Sequence, residues 1–351
     1  DSDGFPMGAM KGYFQPIDNY IDLSSPIWSN PGTKTTMDKL KFEGNHYIAA
    51  TGSYPNIICI YNKKTIRDNG LEDPAELYRN DRWTWSKFKE MCEKFTDPGS
   101  EKFALDGYWF NQGINSSVGV PIIGLDEKGK ALSNLESPEV RKAQDFLSEL
   151  EKAKVYFDRT THDSLSRGSG ATGEGMAEGL TLFYPCGMWA IENSPENTAL
   201  FGDVEAGDIM FVPMPRADDG DKYYIDARID NGYLLVKNAP NPEGFAALMN
   251  CVQLAAHSDS AIDVSTDQLK NTYKWNDEMI EMKNQVNELC EQTPVFDFSN
   301  AVSPEVYNIT NEVKYATVNG TMSRDWDTVI SEYNDRLNFE LEKANSQIPE
   351  F

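Results

Sequence analysis

Short apolar segments of strand length alternate along the chain with segments whose apolar residues repeat at helical spacing. The strand-like segments cover residues 47–50, 57–61, 103–109, 180–184, 209–212, 223–229 and 233–236, and the helical ones cover residues 85–95, 138–150, 242–256 and 324–341. Helices that alternate with short buried strands indicate an α/β architecture. A length of 351 residues allows one large α/β domain or two smaller domains.

The composition excludes several classes of function. Asp and Glu number 56 against 32 Lys and Arg, so the formal net charge is −24 and nucleic acid is not an expected partner. No apolar run approaches the roughly 18 residues of a membrane span. The five cysteines are scattered without a CxxC pair and the three histidines lie far apart. We therefore predict neither a metal site nor a cofactor.

The segment MAEGLTLFYPCGMW, residues 176–189, is the most informative local pattern. It is typical of a helix end, a glycine turn, an apolar strand and a Gly-x-Trp loop. Gly187 permits backbone conformations that a Cβ forbids, and Trp189 offers a flat apolar face with one N–H donor. Such a ring can stack on a sugar, a base or another ring. It can equally be a core tryptophan, and the segment alone leaves both interpretations open.

Four groups of motifs occur in a fixed order over nearly the whole chain. They are Tyr61-Asn62-Lys63 with Gly70-Leu71-x-x-Pro74 and Trp83-Thr84-Trp85; the 176–189 segment with its Gly187-x-Trp189 ending; Pro213-Met214-Pro215 with residues 232–236 and Asn241-Pro242-Glu243; and Asn319-Gly320-x-x-Ser323. This order resembles bacterial extracellular solute-binding proteins of ABC sugar importers, the maltose-binding-protein-like receptors of family 1. Residues 12–17 resemble a later stretch of that family's first lobe, so the N-terminal part of this lobe is expected to be missing.

The resemblance implies a type II periplasmic-binding-protein-like fold, in which two lobes close over a ligand held between them. The implied boundaries are 1–52 plus 233–301 for an incomplete N-terminal lobe, 56–228 plus 304–351 for the C-terminal lobe, and hinges near 52–56, 228–233 and 300–304. The first two hinges contain Gly, Pro or Asn, which absorb backbone rotation.

Four aromatic residues are candidates for ligand binding. The resemblance matches Trp189 to a position that stacks on a sugar ring, and Trp109 and Tyr307 to other aromatic contact positions. Tyr54 lies in the first predicted crossing between the lobes. For each of these rings, packing in the core is the alternative.

Three charged residues complete the candidate set. The resemblance places Asp3 near an acidic group that accepts sugar hydroxyls, while Asp226 and Arg228 precede the second predicted crossing. Carboxylates and Arg side chains are suitable partners for hydroxyl groups. A surface salt bridge is the alternative for Asp226 and Arg228.

The resemblance thus implies a non-enzymatic receptor that delivers a mono- or oligosaccharide to the permease of an ABC transporter. Its expected setting is extracellular or periplasmic, as a monomer on a lipid anchor that lies outside the chain. Two alternatives stay open: a secreted carbohydrate-active hydrolase that uses a carboxylate pair, and a receptor of the same fold for a peptide, polyamine or phosphate ester. Gly-x-Ser-x-Gly, His-Glu-x-x-His and P-loop motifs are absent from the sequence.

Overall fold

The computed structural model describes residues 4–107, 109–158 and 174–347. Its α-helices are α1 (Met7–Met10), α2 (Pro31–Asp38), α3 (Lys63–Asp68), α4 (Pro74–Arg79), α5 (Trp85–Phe95), α6 (Phe110–Ser116), α7 (Pro138–Ala153), α8 (Glu174–Ala177), α9 (Pro195–Thr198), α10 (Pro242–Ala256), α11 (Asp259–Asn271), α12 (Asp277–Gln292), α13 (Pro304–Lys314) and α14 (Trp326–Asn345). Its strands are β1 (Lys41–Phe42), β2 (Asn45–His46), β3 (Ile48–Ala50), β4 (Ser53–Pro55), β5 (Ile58–Asn62), β6 (Phe103–Leu105), β7 (Ile123–Leu125), β8 (Ala131–Ser133), β9 (Thr181–Cys186), β10 (Ile209–Val212), β11 (Ile225–Ile229), β12 (Gly232–Leu234) and β13 (Pro294–Val295).

The long helices begin where the sequence predicts because polar side chains cap them. Thr84, Ser137 and Asn241 each accept a hydrogen bond from a backbone N–H in the first turn of α5, α7 and α10. Such caps satisfy donors that have no partner within the helix. Proline at the first position of α7 and α10 adds a preset backbone angle.

A four-stranded mixed sheet forms the centre of the molecule, in the order β10-β5-β9-β6. Strand β5 is antiparallel to both β10 and β9, while β6 is parallel to β9. Every residue of β5, β9 and β10 is buried, as expected for a sheet covered on both faces. The α/β class is confirmed.

The two predicted crossings run side by side. Strands β4 and β11 pair antiparallel, as do β3 and β12. Between these pairs, the Thr51 N–H donates to the Asn231 carbonyl and the Asp230 N–H donates to the Gly52 carbonyl, each at 3.0 Å. Both connections therefore form one hydrogen-bonded ladder. Their role as hinges stays a prediction.

Two apolar cores divide the buried side chains. The first surrounds the central sheet and includes α5 and α12; the second combines α1, α2, β3 and α10 with α13 and α14. The predicted boundaries assign residues 233–301 to the N-terminal lobe and 304–351 to the C-terminal lobe. In the structure, α12 packs in the first core, whereas α13 and α14 pack in the second core with α1 and α2. Helix α12 joins the first core through its buried face, from Met279 to Cys290. The lobe boundaries stay a prediction.

Candidate ligand-binding site

Trp189 lies on a short 3-10 turn, Met188–Ala190, directly after the buried strand β9. Met188 and Ala190 are buried, whereas Trp189 is 52% exposed. Gly187 has an ordinary extended backbone, with φ of −72°, so the expected unusual backbone conformation is not its role. A Cβ at Gly187 would overlap the indole of Trp189. The glycine therefore makes room for the ring.

Trp109 occupies a comparable place after β6. The predicted strand over residues 103–109 ends at Leu105, because the chain turns at Gly107, whose φ of +90° disfavours any side chain. Trp109 then forms the N-cap of α6, with its ring partly buried against the first core. Since β6 and β9 are neighbours in the sheet, the segments that follow them lie close together.

The two tryptophans contact each other edge to face. Their ring centroids are 6.0 Å apart and their planes are inclined by 71°. Aromatic pairs favour this geometry, which contributes about 0.5–1.5 kcal/mol beyond the burial of area. We call this pair, Trp109 and Trp189, the aromatic corner. It fixes the orientation of the half-exposed Trp189 ring against a partner anchored in the core.

A cavity of about 790 Å³ has Met188, the residue before Trp189, in its lining, whereas neither tryptophan of the aromatic corner lines it. The rest of the lining includes Tyr54 of β4, Glu192 just after the Trp189 turn, and residues of α11 and α12. Tyr54 is 43% exposed, and Arg228, its partner across the β4–β11 ladder, is also exposed. Met188 is thus the residue of the Trp189 turn that reaches the cavity.

Helix α12 supplies more polar lining residues than any other element. Its cavity-lining polar residues are Lys283, Asn284, Asn287, Glu288 and Glu291, and the opposite face buries Met279, Met282, Val286 and Cys290. Amide groups both donate and accept hydrogen bonds, and carboxylates accept them. This stripe is therefore well suited to a ligand rich in hydroxyl groups.

The lining is acidic. Glu192 forms an ion pair with Lys283, whose ammonium lies 5.8 Å from the centroid of the Trp275 ring. Burial raises the pKa of the Glu291 carboxyl, and the nearby His257 partly opposes this shift. Because carboxylates outnumber the ammonium groups in the lining, the field in the cavity disfavours anionic ligands.

Asp226 does not line this cavity. It is 5% exposed, and its carboxylate accepts hydrogen bonds from Asn56 Nδ2 at 2.5 Å, Ser116 Oγ at 2.7 Å and Gln112 Nε2 at 3.1 Å. Burial raises the pKa of its carboxyl, although these hydrogen bonds lower it; the charge of Asp297 raises it further. The carboxylate thus faces the interior between the first crossing and α6.

Of the other two candidates, Tyr307 is not in contact with the aromatic corner. Tyr307 is 45% exposed on α13, whose buried face packs in the second core, and the ring contacts of the described residues do not join it to Trp109 or Trp189. Asp3 lies outside the described residues. The structure thus brings together Trp109 and Trp189, and Tyr54 and Arg228.

Several residues in and around the site were not predicted. They are Met188, Glu192 and the polar stripe of α12 at the cavity, and Gln112 and Ser116 around Asp226. The stripe has a signal in the sequence, because polar residues at 284, 287, 288 and 291 follow helical spacing. The contacts of Gln112 and Ser116 have no such signal, since they join segments more than 100 residues apart.

The described ranges contain no cluster of three or more His, Cys, Asp or Glu side chains arranged to hold a metal ion. Within the same ranges, no helix is both long and apolar enough to cross a membrane. The cysteines are unpaired thiols, and Cys251 alone among the five is exposed.

The sequence profile of the bacterial extracellular solute-binding protein family matches residues 2–252, more than half of the chain. The chain therefore belongs to this family, and the resemblance seen in the sequence is confirmed. No curated protein sequence matches the chain.

Solved structures agree on the fold. The sugar-binding protein MalE from Xanthomonas citri has a TM-score of 0.65 at 15% identity, covering 95% of this chain and 80% of its own. An ABC substrate-binding protein from Listeria monocytogenes in complex with cycloalternan has a TM-score of 0.62 at 17% identity, and the match covers 96% of this chain and 82% of that protein. UgpB from Mycobacterium tuberculosis in complex with glycerophosphocholine has a TM-score of 0.60 at 15% identity, and the match covers 96% of this chain and 81% of that protein. The chain thus has the two-lobed type II fold of these proteins.

Proposed function

We propose that this protein binds a neutral mono- or oligosaccharide outside the cytoplasmic membrane and delivers it to the permease of an ABC transporter. The observation that carries the proposal is the half-exposed ring of Trp189, whose chain neighbour Met188 lines a cavity that is rich in amides and carboxylates. Trp189 provides an apolar face for the C–H side of a sugar ring, and the stripe on α12 provides partners for its hydroxyls. Small-ligand sites commonly combine these two kinds of surface.

The acidic lining favours a neutral ligand over a phosphate ester. A phosphate group in the cavity would face Asp230, Glu288 and Glu291, with Lys283 already paired to Glu192. Like charges at close range in a partly desolvated site are unfavourable. The structural neighbours include proteins in complex with cycloalternan and with glycerophosphocholine, and the acidic lining of this cavity supports a neutral ligand.

A thermal-shift screen followed by calorimetry tests the ligand class. Neutral mono- and oligosaccharides are compared with uronic acids, sugar phosphates, polyamines and short peptides. We expect a rise in Tm with at least one neutral sugar, because ligand that binds only the folded state stabilises it. A rise with phosphate esters alone, or with peptides or polyamines alone, would contradict the proposed class.

The same incubations address catalysis. A receptor returns its ligand unchanged, so chromatography after prolonged incubation should recover only the added oligosaccharide. Release of shorter products that depends on the protein would instead support a hydrolase with a carboxylate pair.

The proposal includes a monomer held near the permease by a lipid anchor, with lobes that close about the paired crossings. Light scattering tests the monomer, and fractionation of the source cells tests the anchor. Small-angle scattering tests closure, for which we expect a smaller radius of gyration with ligand than without it.

A further inference from the structure

Helix α6, which begins at Trp109, is held by side-chain hydrogen bonds to three other parts of the chain. Ser116 and Gln112 donate to Asp226 on β11. Asn115 accepts from Gln144 of α7 at 2.9 Å. On the remaining side, Asn111 Nδ2 donates to the carbonyl of the last residue of α13 at 3.3 Å. A short helix with polar side chains bonded in several directions has little freedom to rotate or slide.

Close packing adds to this restraint. A Cβ on Gly113, in the middle of α6, would lie 2.9 Å from Met214 Cγ and 3.2 Å from Ile57 Cγ2. The absence of a side chain therefore lets α6 approach the two strand-flanking segments closely. Ile114, the next residue, is completely buried.

Asp226 is the group that connects this helix to the crossings. Its backbone carbonyl accepts from the Asn56 N–H at 2.8 Å, and its carboxylate accepts from the Asn56 side chain. Asn56 lies between β4 and β5, at the end of the first predicted crossing, whereas Asp226 lies in β11 before the second. A single buried carboxylate thus joins both crossings to α6.

We propose that Asp226 is a positioning residue: it fixes the orientation of α6 relative to the paired crossings, and thereby holds Trp109 in the aromatic corner. Asp226 itself has too little exposed surface to contact a ligand. Its effect on binding reaches the ligand through Trp109 and Trp189. Only this last step rests on the proposed sugar-binding function; the effect on the aromatic corner does not.

The test uses the coupling between the two indoles as a readout that needs no ligand. Two stacked or edge-to-face tryptophans give a coupled signal in circular dichroism, and the difference between the wild type and Trp189→Phe isolates that signal. The test variants are Asp226→Asn, which keeps one acceptor oxygen, and Ser116→Ala, which removes one donor and keeps the carboxylate. Asp267→Asn, an exposed aspartate on α11 outside the cavity lining, is the matched control.

We expect both test variants to lose part of the coupled signal while they remain folded, and the control to retain it. Sugar affinity should fall about tenfold in the test variants, within the usual range for coupling between distant groups. A normal coupled signal in folded Asp226→Asn and Ser116→Ala, with only a lower Tm, would overturn the proposal by showing a purely structural role. If Asp226→Asn does not fold, Ser116→Ala decides alone. Loss of the signal in a protein that binds no sugar would support the positioning role and contradict the proposed function.

Discussion

The two walls of the candidate site are built in different ways. The first wall, which supports the aromatic corner, consists of β9, β6 and α6; its residues are almost all buried, and the polar side chains of α6 are bonded to neighbouring elements. The second wall is formed by α11 and α12, which line the cavity. Helix α11 buries only Leu269 of its 13 residues and exposes Ile262 and Val264.

This difference indicates separate roles in binding. A ring that must face a ligand in one orientation needs a rigid support, which the first wall provides. Segments with few buried contacts open and shift at low free-energy cost, and elements that move on ligand binding commonly belong to this group. We therefore infer that the first wall selects the ligand and that α11 adjusts around it.

The largest expected effect is on the free energy of unfolding, when a buried isoleucine of the first wall is shortened. An exposed isoleucine of the second wall provides the comparison. Ile114→Ala on α6 should lower the free energy of unfolding by about 2–5 kcal/mol, because it creates a cavity at a fully buried site. Ile262→Ala on α11, where the side chain is 59% exposed, should change it by less than about 0.5 kcal/mol. Urea denaturation measures both values. Similar losses for the two variants would show that α11 is as firmly packed as α6.

The next largest effect concerns ligand affinity. Trp189→Ala should weaken sugar binding by about 2 kcal/mol, roughly 30-fold, since an aromatic face would no longer cover the ligand. The Tm without ligand should hardly change, because the ring is half exposed. Phe339→Ala on α14, where the ring is 62% exposed and distant from the cavity in sequence, is the control and should bind normally. A Tm loss as large as that of Ile114→Ala would identify Trp189 as a core residue.

The sequence predicts the first wall better than the second. Segments 57–61, 180–184 and 209–212 predict the central strands closely, because a continuous apolar run bounded by turns has few other solutions. Trp189 is predicted as a candidate through the Gly-x-Trp motif, and Trp109 through the resemblance to the family. Their contact with each other follows from the pairing of β6 with β9, which local patterns do not specify.

The second wall is predicted poorly because its elements meet only through tertiary packing. Helix α12 has a normal amphipathic pattern, but nothing local indicates that its apolar face joins the first core or that its polar face lines a cavity. The environment of Asp226 is equally hidden, since its three side-chain donors come from two other regions of the chain. The sequence alone does not show whether an aspartate is buried or exposed, because this depends on contacts between distant segments of the chain.

A smaller effect should appear in the pH dependence of the first wall. Burial raises the pKa of the Asp226 carboxyl above its ordinary value of 3.8, so the folded protein binds this proton more tightly than the unfolded chain. Stability from this group is therefore fully present below pH 3.8 and is lost as the pH rises through the raised pKa, with a slope of at most about 1.4 kcal/mol per pH unit. Asp226→Asn should remove this contribution to the slope, as measured by denaturation from pH 3 to about 8. Asp267→Asn should keep the wild-type slope; an unchanged slope in Asp226→Asn would mean that the carboxyl is not destabilised by burial.

The smallest effect tests an ion pair between α12 and the residue that follows the Trp189 turn by two positions. Glu192, just after the Trp189 turn, pairs with Lys283 of α12, and both side chains are partly exposed. Because solvent screens such pairs, Glu192→Gln should lower the free energy of unfolding by about 1 kcal/mol or less. It should nevertheless loosen α12 relative to the aromatic corner, seen as faster amide exchange in α11 and α12 without a change in α6. Faster exchange in α6 as well would show that the walls move as one unit. In that case the rigid wall could not select the ligand independently, and the division of roles inferred above would fail.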